Sequence, residues 1–268
     1  MAPRLEIIGG GRMGSALIGG LVAAGWAKPS ELTVVEPIAP SRDALMAAHP
    51  GLEVVTEPVE AADVLIAVKP NVVIDACRQV AAAGVSRVLS IAAGVRTTTI
   101  AGALTAAGAI DVPVVRAMPN TPALVREGAA AVAAGPHATE RDIEWAAQIL
   151  GAVGTVVTVP EELLDAVTGL SGSGPAYVFL LAEAMIDGGV QCGLPPDTAR
   201  ELVTQTLLGA ATLLRESDEG AEALRAAVTS PGGTTEAGIR ALDQAGVRAA
   251  VIDAVAAATL RSAELSGG

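Results

Sequence analysis

Aromatic side chains are scarce: Trp26, Trp145, Tyr177 and Phe179 are all that the 268 residues contain. A core without large rings must be packed by aliphatic side chains and by helices drawn together over Ala and Gly, so a helix-rich fold is expected. Cysteine is equally rare. Cys77 and Cys192 lie far apart and belong to no Cys-x-x-Cys pair, which argues against a disulfide or thiolate metal site and predicts two buried free thiols. His49 precedes Pro50-Gly51 and His137 follows Gly135-Pro136. Both read as surface turn residues without a role in chemistry.

Positive charge is also in short supply. Lys28 and Lys69 are the only lysines, and the formal net charge is −12. Such a surface repels phosphate backbones, so nucleic acid is not expected as a partner. Long apolar runs are missing too. The longest uncharged stretch, from Ala166 to Ala182, is broken by Gly169, Gly172, Gly174 and Pro175, and no membrane segment is expected. The first residues lack the charged head, apolar middle and small-residue cleavage site of a secretory signal, which predicts a cytoplasmic protein.

What remains is a chain that is 51% hydrophobic and 17% charged, able to bury an extensive core. Its length exceeds the usual size of a single core, so two domains are preferred. Leu5 to Ile8 is an apolar run, Ser15 to Ala24 a small-residue helix, and Leu32 to Val35 a second apolar run, together a β-α-β unit. Further strands are expected at Val54-Val55, Val64 to Val68, Val88 to Ile91, Val112 to Val115, Ala129 to Ala133 and Thr155 to Val159. Helices at Pro40 to Ala48, Val72 to Ala83 and Thr98 to Ala107 separate several of them. Such alternation predicts a doubly wound, parallel sheet covered on both faces by helices.

After Pro160 the pattern changes. Glu161 to Thr168, Ala176 to Gly188, Pro196 to Glu216, Gly220 to Val228, Thr235 to Ala245 and Arg248 to Leu265 all read as helices. The expected organisation is therefore an N-terminal α/β domain over 1–160 and an all-helical domain over 161–268. Val251, Ile252, Val255, Ala258 and Thr259 wrap the last helix in apolar surface interrupted only by Asp253. That excess predicts burial against another subunit, a central helix of a monomeric bundle being the alternative.

Gly9-Gly10-Gly11-Arg12-Met13-Gly14 fits G-x-G-x-x-G between a strand and a helix. In that pattern Gly9 makes the tight turn, Gly11 admits a pyrophosphate to the backbone, and Gly14 lets helix and strand approach. Glu36 ends the second strand, where a carboxylate can accept ribose hydroxyls, although a solvated strand-end charge would look the same. Ser41 and Arg42 lie just beyond it and could hold a 2′-phosphate, which leaves NADPH and NADH both open. Ala67-Val68-Lys69-Pro70 closes a strand at the edge where such sheets collect ligands. Lys69 there suits phosphate or ribose, or is simply exposed. Met118-Pro119-Asn120-Thr121-Pro122 follows another strand and brings polar groups to the same edge, as a plain turn also would.

Two loops belong to the second half. Leu170-Ser171-Gly172-Ser173-Gly174-Pro175-Ala176-Tyr177 reads as a flexible Gly-Ser loop entering a helix with Pro in its first turn. Thr229-Ser230-Pro231-Gly232-Gly233-Thr234-Thr235-Glu236 leads into another helix, and its Pro-Gly-Gly turn can form an amide nest for a small carboxylate. Taken alone, these motifs define a nicotinamide oxidoreductase.

Together they resemble the pyrroline-5-carboxylate reductase family over nearly the whole chain. Matching segments include Gly9 to Gly14, Ala67 to Pro70, Ala92 to Val95, Met118 to Pro122 with Val125 to Gly128, Gly169 to Tyr177, Asp187 to Val190 with Gly193 to Pro195, and Val228 to Thr235. Ser-Pro-Gly-Gly-x-Thr followed by Ala237-Gly238 and Leu242 is the most specific of them. The resemblance implies a Rossmann domain, a helical dimerisation domain, and a homodimer assembled into a decamer-like ring. It implies reduction of Δ1-pyrroline-5-carboxylate to L-proline with NADPH or NADH, the last step of proline biosynthesis.

By position, Thr235 would hydrogen-bond the substrate's ring nitrogen, while Ser230, Gly233 and Thr234 would hold its carboxylate. Gly9 to Gly14, Glu36, Ala67 to Pro70, Asn120 and Thr121 would bind cofactor. The family's active site takes its helical part from the partner subunit, so Ser173, Gly174 and Pro175 would act in trans. A β-hydroxyacid dehydrogenase shares this layout but uses a second-domain lysine, and both lysines here precede residue 160. A nonenzymatic dinucleotide sensor would explain the first glycine loop and leave the nest at Ser230 to Thr235 without a purpose.

Overall fold

The computed structural model describes residues 2–61 and 63–267. Strand β1 (Leu5–Ile8), helix α1 (Arg12–Ala23) and strand β2 (Leu32–Val35) open the chain, followed by α2 (Ala39–Ala48), β3 (Glu53–Val55), β4 (Asp63–Ile66) and α3 (Val73–Ala83). Then come β5 (Arg87–Ser90), α4 (Thr97–Ala106), β6 (Val114–Met118), β7 (Gly128–Ala134), α5 (Glu140–Gly151), β8 (Gly154–Thr158) and the short α6 (Leu164–Val167).

The strands form one sheet in the order β3-β2-β1-β4-β5-β6-β7-β8. All neighbouring pairs are parallel except β6 with β7. The order from β3 to β6 is that of a Rossmann sheet, and its switch point lies between β1 and β4. The antiparallel pair departs from an all-parallel sheet for a steric reason. Residues 119–127 are too few to carry a parallel crossover, which takes a dozen or more, so the chain can only turn back.

Side-chain alternation along the strands sends Leu5, Ile7, Val34, Leu65 and Leu89 to one face and Ile8, Val35, Val64, Ile66 and Val88 to the other. Leu17, Leu21 and Ile149, from α1 and α5, cover the first face. Val73, Cys77, Ile100 and Leu104, from α3 and α4, cover the second. Burial on both faces is why these strands read as continuous apolar runs. The same burial pushes the Cys77 thiol up to about 11, which keeps it an inert core residue. Cys192, expected to be buried, is exposed because it falls in the turn just past the second domain's first helix.

Helix α5 is not among the helices expected from the sequence, yet its signal is present there. Thr139 donates its hydroxyl to Asp142 Oδ2 at 2.7 Å and its N–H to the same oxygen at 2.8 Å, a capping box. Such a cap contributes about 1 kcal/mol.

The chain divides into two compact units, Met1–Ser173 with Ala256–Gly268, and Gly174–Val255. The second contains helices α7 (Gly174–Gln191), α8 (Pro196–Glu216), α9 (Ala221–Ala227), α10 (Thr234–Gln244) and the first half of α11 (Val247–Leu265), whose second half belongs to the first unit. Within it α7 packs on α8, and the Tyr177 hydroxyl donates to the Ala254 carbonyl at 3.4 Å. Its apolar surface is largely uncovered in the single chain, with Phe179, Leu180 and Ile252 each more than 60% exposed. Among the described residues, no helix is long and apolar enough to cross a membrane.

Candidate active site

The glycine loop connects the end of β1 to the start of α1, and each glycine answers a different demand. Gly9 has φ +108°, a left-handed conformation that L side chains avoid. A Cβ on Gly10 would run into Leu45 Cδ1, and one on Gly14 into the Gly9 carbonyl oxygen, so both are fixed by packing. Gly11 differs. Its φ is an ordinary −66°, and a Cβ built there meets no atom within 4 Å. No side chain caps α1, so the first N–H groups of the helix remain open at this point.

Gly9, Gly11, Glu36, Ala67, Val68 and Lys69 line one cleft of about 510 Å³, together with Pro37, Ile38 and Thr56. The sheet topology brings them together. The turns after β1, β2 and β4 all emerge at the carboxyl edge beside the switch point, where open α/β sheets bind ligands. Arg12 and Lys69 are exposed and have no carboxylate partner among the described residues.

Glu36 is not a solvated strand-end charge. It is 6% exposed, and its two carboxylate oxygens accept the N–H groups of Gly10 at 3.1 Å and Ile38 at 2.9 Å. The carboxylate therefore ties the glycine loop to the turn after β2. Arg42 donates to the carbonyls of Glu36 at 3.0 Å and Pro37 at 2.7 Å, bracing the same turn.

A second cleft of about 560 Å³ begins where the Lys69-Pro70 turn ends. Pro70, Asn71, Ala93, Gly94, Val95, Thr168 and Ser173 line it, with Arg261, Ser262 and Leu265 from the end of α11. The α11 residues are not expected from the sequence, where that helix reads as buried against another subunit or at the centre of a bundle. Ser262 donates to Asp165 Oδ1 at 2.6 Å, and this bond anchors the helix end beside α6.

Asn120 is 8% exposed, and both ends of its amide are engaged inside the fold. Nδ2 donates to the Ser171 carbonyl at 3.0 Å and Oδ1 accepts the Ala129 N–H at 2.8 Å. Thr121 is exposed beside it. The strand leading to this turn is held by Arg116, 4% exposed, which pairs with Glu161 at 3.2 Å. Glu161 in turn accepts the Thr97 N–H at 2.8 Å and its hydroxyl at 2.6 Å. A lone arginine in the apolar run Val114 to Met118 was the sequence signal for such a partner.

The segment expected to be a flexible Gly-Ser loop is wound instead. Thr168–Gly172 forms a π-helical turn closed by the Ser173 N–H on the Thr168 carbonyl at 2.8 Å. Gly172 permits it, since a Cβ there would lie 2.7 Å from Met118 Cε. Gly174 and Pro175 then open α7.

In the second unit, Gly232 has φ +73°, so the turn itself requires this glycine, while a Cβ on Gly233 would be closely approached by Ser230, 2.7 Å from its rotatable Oγ. The Gly233 N–H donates to the Ser230 carbonyl at 3.0 Å. Gly233 is the N-cap of α10 and no side chain caps the helix. The hydroxyls of Ser230, Thr234 and Thr235 are exposed and make no hydrogen bond among the described residues.

A Rossmann sheet with an open glycine loop at its switch point, joined to a helical second unit, defines an NAD(P)-dependent oxidoreductase. A family model described as NADP oxidoreductase, coenzyme F420-dependent, matches residues 4–94. One described as pyrroline-5-carboxylate reductase dimerisation matches residues 161–265. The pyrroline-5-carboxylate reductase of Synechocystis is 45% identical, with 99% of each chain covered. The structure of a pyrroline-5-carboxylate reductase from Coxiella burnetii superposes with a TM-score of 0.90 at 35% identity, covering 99% of both chains. That of Plasmodium falciparum pyrroline carboxylate reductase, solved with NADP bound, gives 0.83 at 27% identity over 98% of both. The chain belongs to the pyrroline-5-carboxylate reductase family.

Proposed function

We propose that this chain reduces Δ1-pyrroline-5-carboxylate to L-proline with NADPH or NADH, the last step of proline biosynthesis. Gly11 is the observation that carries the cofactor site. Neither its backbone angle nor its packing calls for glycine, so the space beside it is explained by a ligand that approaches the backbone. A dinucleotide pyrophosphate fits that demand, with the open N–H groups of α1 as donors and Arg12 and Lys69 as nearby cations. Gly9 to Gly14 and Ala67 to Pro70 thus bind the cofactor. Each Glu36 oxygen retains a second lone pair for a ribose hydroxyl. Thr121 completes the nicotinamide end, with Ser173 to Pro175 acting in trans, and Asn120 braces the turn beside it through Ser171 and Ala129.

Reduction of a cyclic C=N bond adds a hydride to carbon and a proton to nitrogen. NAD(P)H supplies the hydride. The imine is basic enough to take its proton from water, so no strongly acidic side chain is needed, and the loop from Ser230 to Thr235 offers none. Its task is orientation, which by itself can lower a barrier by several kcal/mol. Ser230, Gly233 and Thr234 hold the carboxylate, while the Thr235 hydroxyl, idle in the fold, faces the ring nitrogen and assists its protonation.

The active unit is a homodimer, with dimers assembled into a decamer-like ring in the cytoplasm. The uncovered apolar helices of the second unit and the two free thiols support this reading. Loss of the reduced nicotinamide's near-ultraviolet absorbance, followed with and without pyrroline-5-carboxylate, tests the activity. Absence of substrate-dependent oxidation by folded protein would refute it.

A further inference from the structure

The turn before α10 already contains a carboxylate. Glu236 Oε2 accepts the Gly232 N–H at 2.8 Å. Glu236 is the third residue of the helix, and its side chain reaches back past the N-cap to the residue before it. Arg240, one turn on, stands 3.8 Å from the same oxygen and offsets its charge. The donors of the turn are therefore divided. Gly232 is held by Glu236 and Gly233 by the Ser230 carbonyl, whereas the N–H groups of Thr234 and Thr235 have no partner among the described residues.

This division has a conformational consequence. Gly232 is left-handed, at φ +73°, and glycine in a short exposed turn gains no rigidity from a side chain of its own. The bond from Glu236 supplies that rigidity. It fixes the peptide joining Pro231 to Gly232, and with it the position of the Ser230 hydroxyl relative to the open amides of α10. Thr235 lies within the helix and is aimed by it, so it does not depend on this bond.

We infer that Glu236 is a positioning residue for the substrate carboxylate, holding the Ser230–Gly233 turn in its binding geometry through the Gly232 N–H. The inference rests on the reading that this turn binds the carboxylate. The affected contacts exist in both the ground and transition states, so their loss raises KM and leaves kcat nearly unchanged.

Steady-state kinetics on the full-length Glu236→Ala and Glu236→Gln proteins, with Ser230→Ala and Thr235→Ala in parallel, test it. For Glu236→Ala, KM for pyrroline-5-carboxylate should rise about tenfold, the scale of one charge-assisted hydrogen bond. Its kcat should stay within about twofold, and KM for the cofactor should not move. Glu236→Gln keeps an oxygen acceptor for Gly232 and should recover most of the affinity. A lowered melting temperature in Glu236→Ala with normal KM would reduce Glu236 to a helix cap and overturn the inference. A lowered KM would also overturn it, by showing that the carboxylate competes with substrate. Normal kinetics in both Ser230→Ala and Thr235→Ala would instead remove the substrate turn itself, and the inference with it.

Discussion

Replacing Gly11 with Asp should separate cofactor binding from folding, because the two are expected to move in opposite directions. Gly11 is the N-cap of α1, at φ −66° and ψ −173°, and no atom lies within 4 Å of where its Cβ would stand. Aspartate is a favoured N-cap residue, and replacing Gly with it stabilises a helix by a few tenths of a kcal/mol. In a protein of this size that is about 1 °C in melting temperature. The added carboxylate would occupy the N–H groups that a pyrophosphate needs and repel it as well. Two unit charges about 4 Å apart repel by about 1 kcal/mol in water and about 4 kcal/mol near a protein surface. Lost space adds about 1–3 kcal/mol by the precedent of overpacking. The dissociation constant for NAD(P)H should therefore rise by at least about 30-fold, measured by fluorescence titration, with an unchanged or slightly raised melting temperature. Gly10→Ala is the control, expected to lose stability through its collision with Leu45. Unaltered cofactor affinity in folded Gly11→Asp would refute the phosphate site.

Thr235→Ala should lower kcat and kcat/KM by roughly ten- to a thousandfold. Its melting temperature should match that of the parent, since the N-cap is Gly233 and the hydroxyl is unbonded; a normal kcat would exclude this residue from the chemistry. Glu6, fully buried on β1, has its carboxyl held above its ordinary 4.5, chiefly by desolvation, although Oε1 accepts the Val59 N–H at 2.7 Å. Its protonated form favours folding, so stability is fully present below about 4.5 and falls as pH rises through the raised value; Glu6→Gln should gain on the parent with rising pH in paired thermal melts, and a pH-independent difference would contradict this. Sedimentation at low micromolar concentration should show a dimer or a larger multiple, and a stable, fully active monomer would refute the assembly.

Elements with a strong local pattern were legible in the sequence. Leu5 to Ile8 and Leu32 to Val35 are strands with the expected ends, and Pro196 to Glu216 is α8 residue for residue. What escaped depended on tertiary partners. Helix α5 carries its apolar residues and capping box between two strands, whose own pattern overshadowed them. The reversal into β7 follows from connection length, which periodicity does not report. Among site residues, the cluster of Gly9, Gly11, Glu36 and Lys69 around one cleft follows from sheet topology. The engagement of Glu36 with Gly10 does not, because a strand-end carboxylate has no sequence mark for the direction it turns. Asn120 is similar: its amide is committed to Ser171 and Ala129, far along the chain in one case and across a turn in the other.

The motif and the site are distinguished by what the fold leaves unused. Gly9 is explained by its backbone angle, Gly10 and Gly14 by packing, Gly232 by its left-handed conformation, and Gly233 by the close approach of Ser230. None of these by itself implies a ligand. Gly11 is different because its missing side chain costs the helix a better cap and gains the fold nothing. The hydroxyls of Ser230, Thr234 and Thr235 are different in the same way, being donors and acceptors that neither cap α10 nor close the turn. The unused groups in the first unit suit an anionic dinucleotide, and those in the second suit a small carboxylate with a nitrogen beside it. A reaction that needs a hydride from a cofactor, and a proton that water can provide, asks for little more than these two kinds of group held in place.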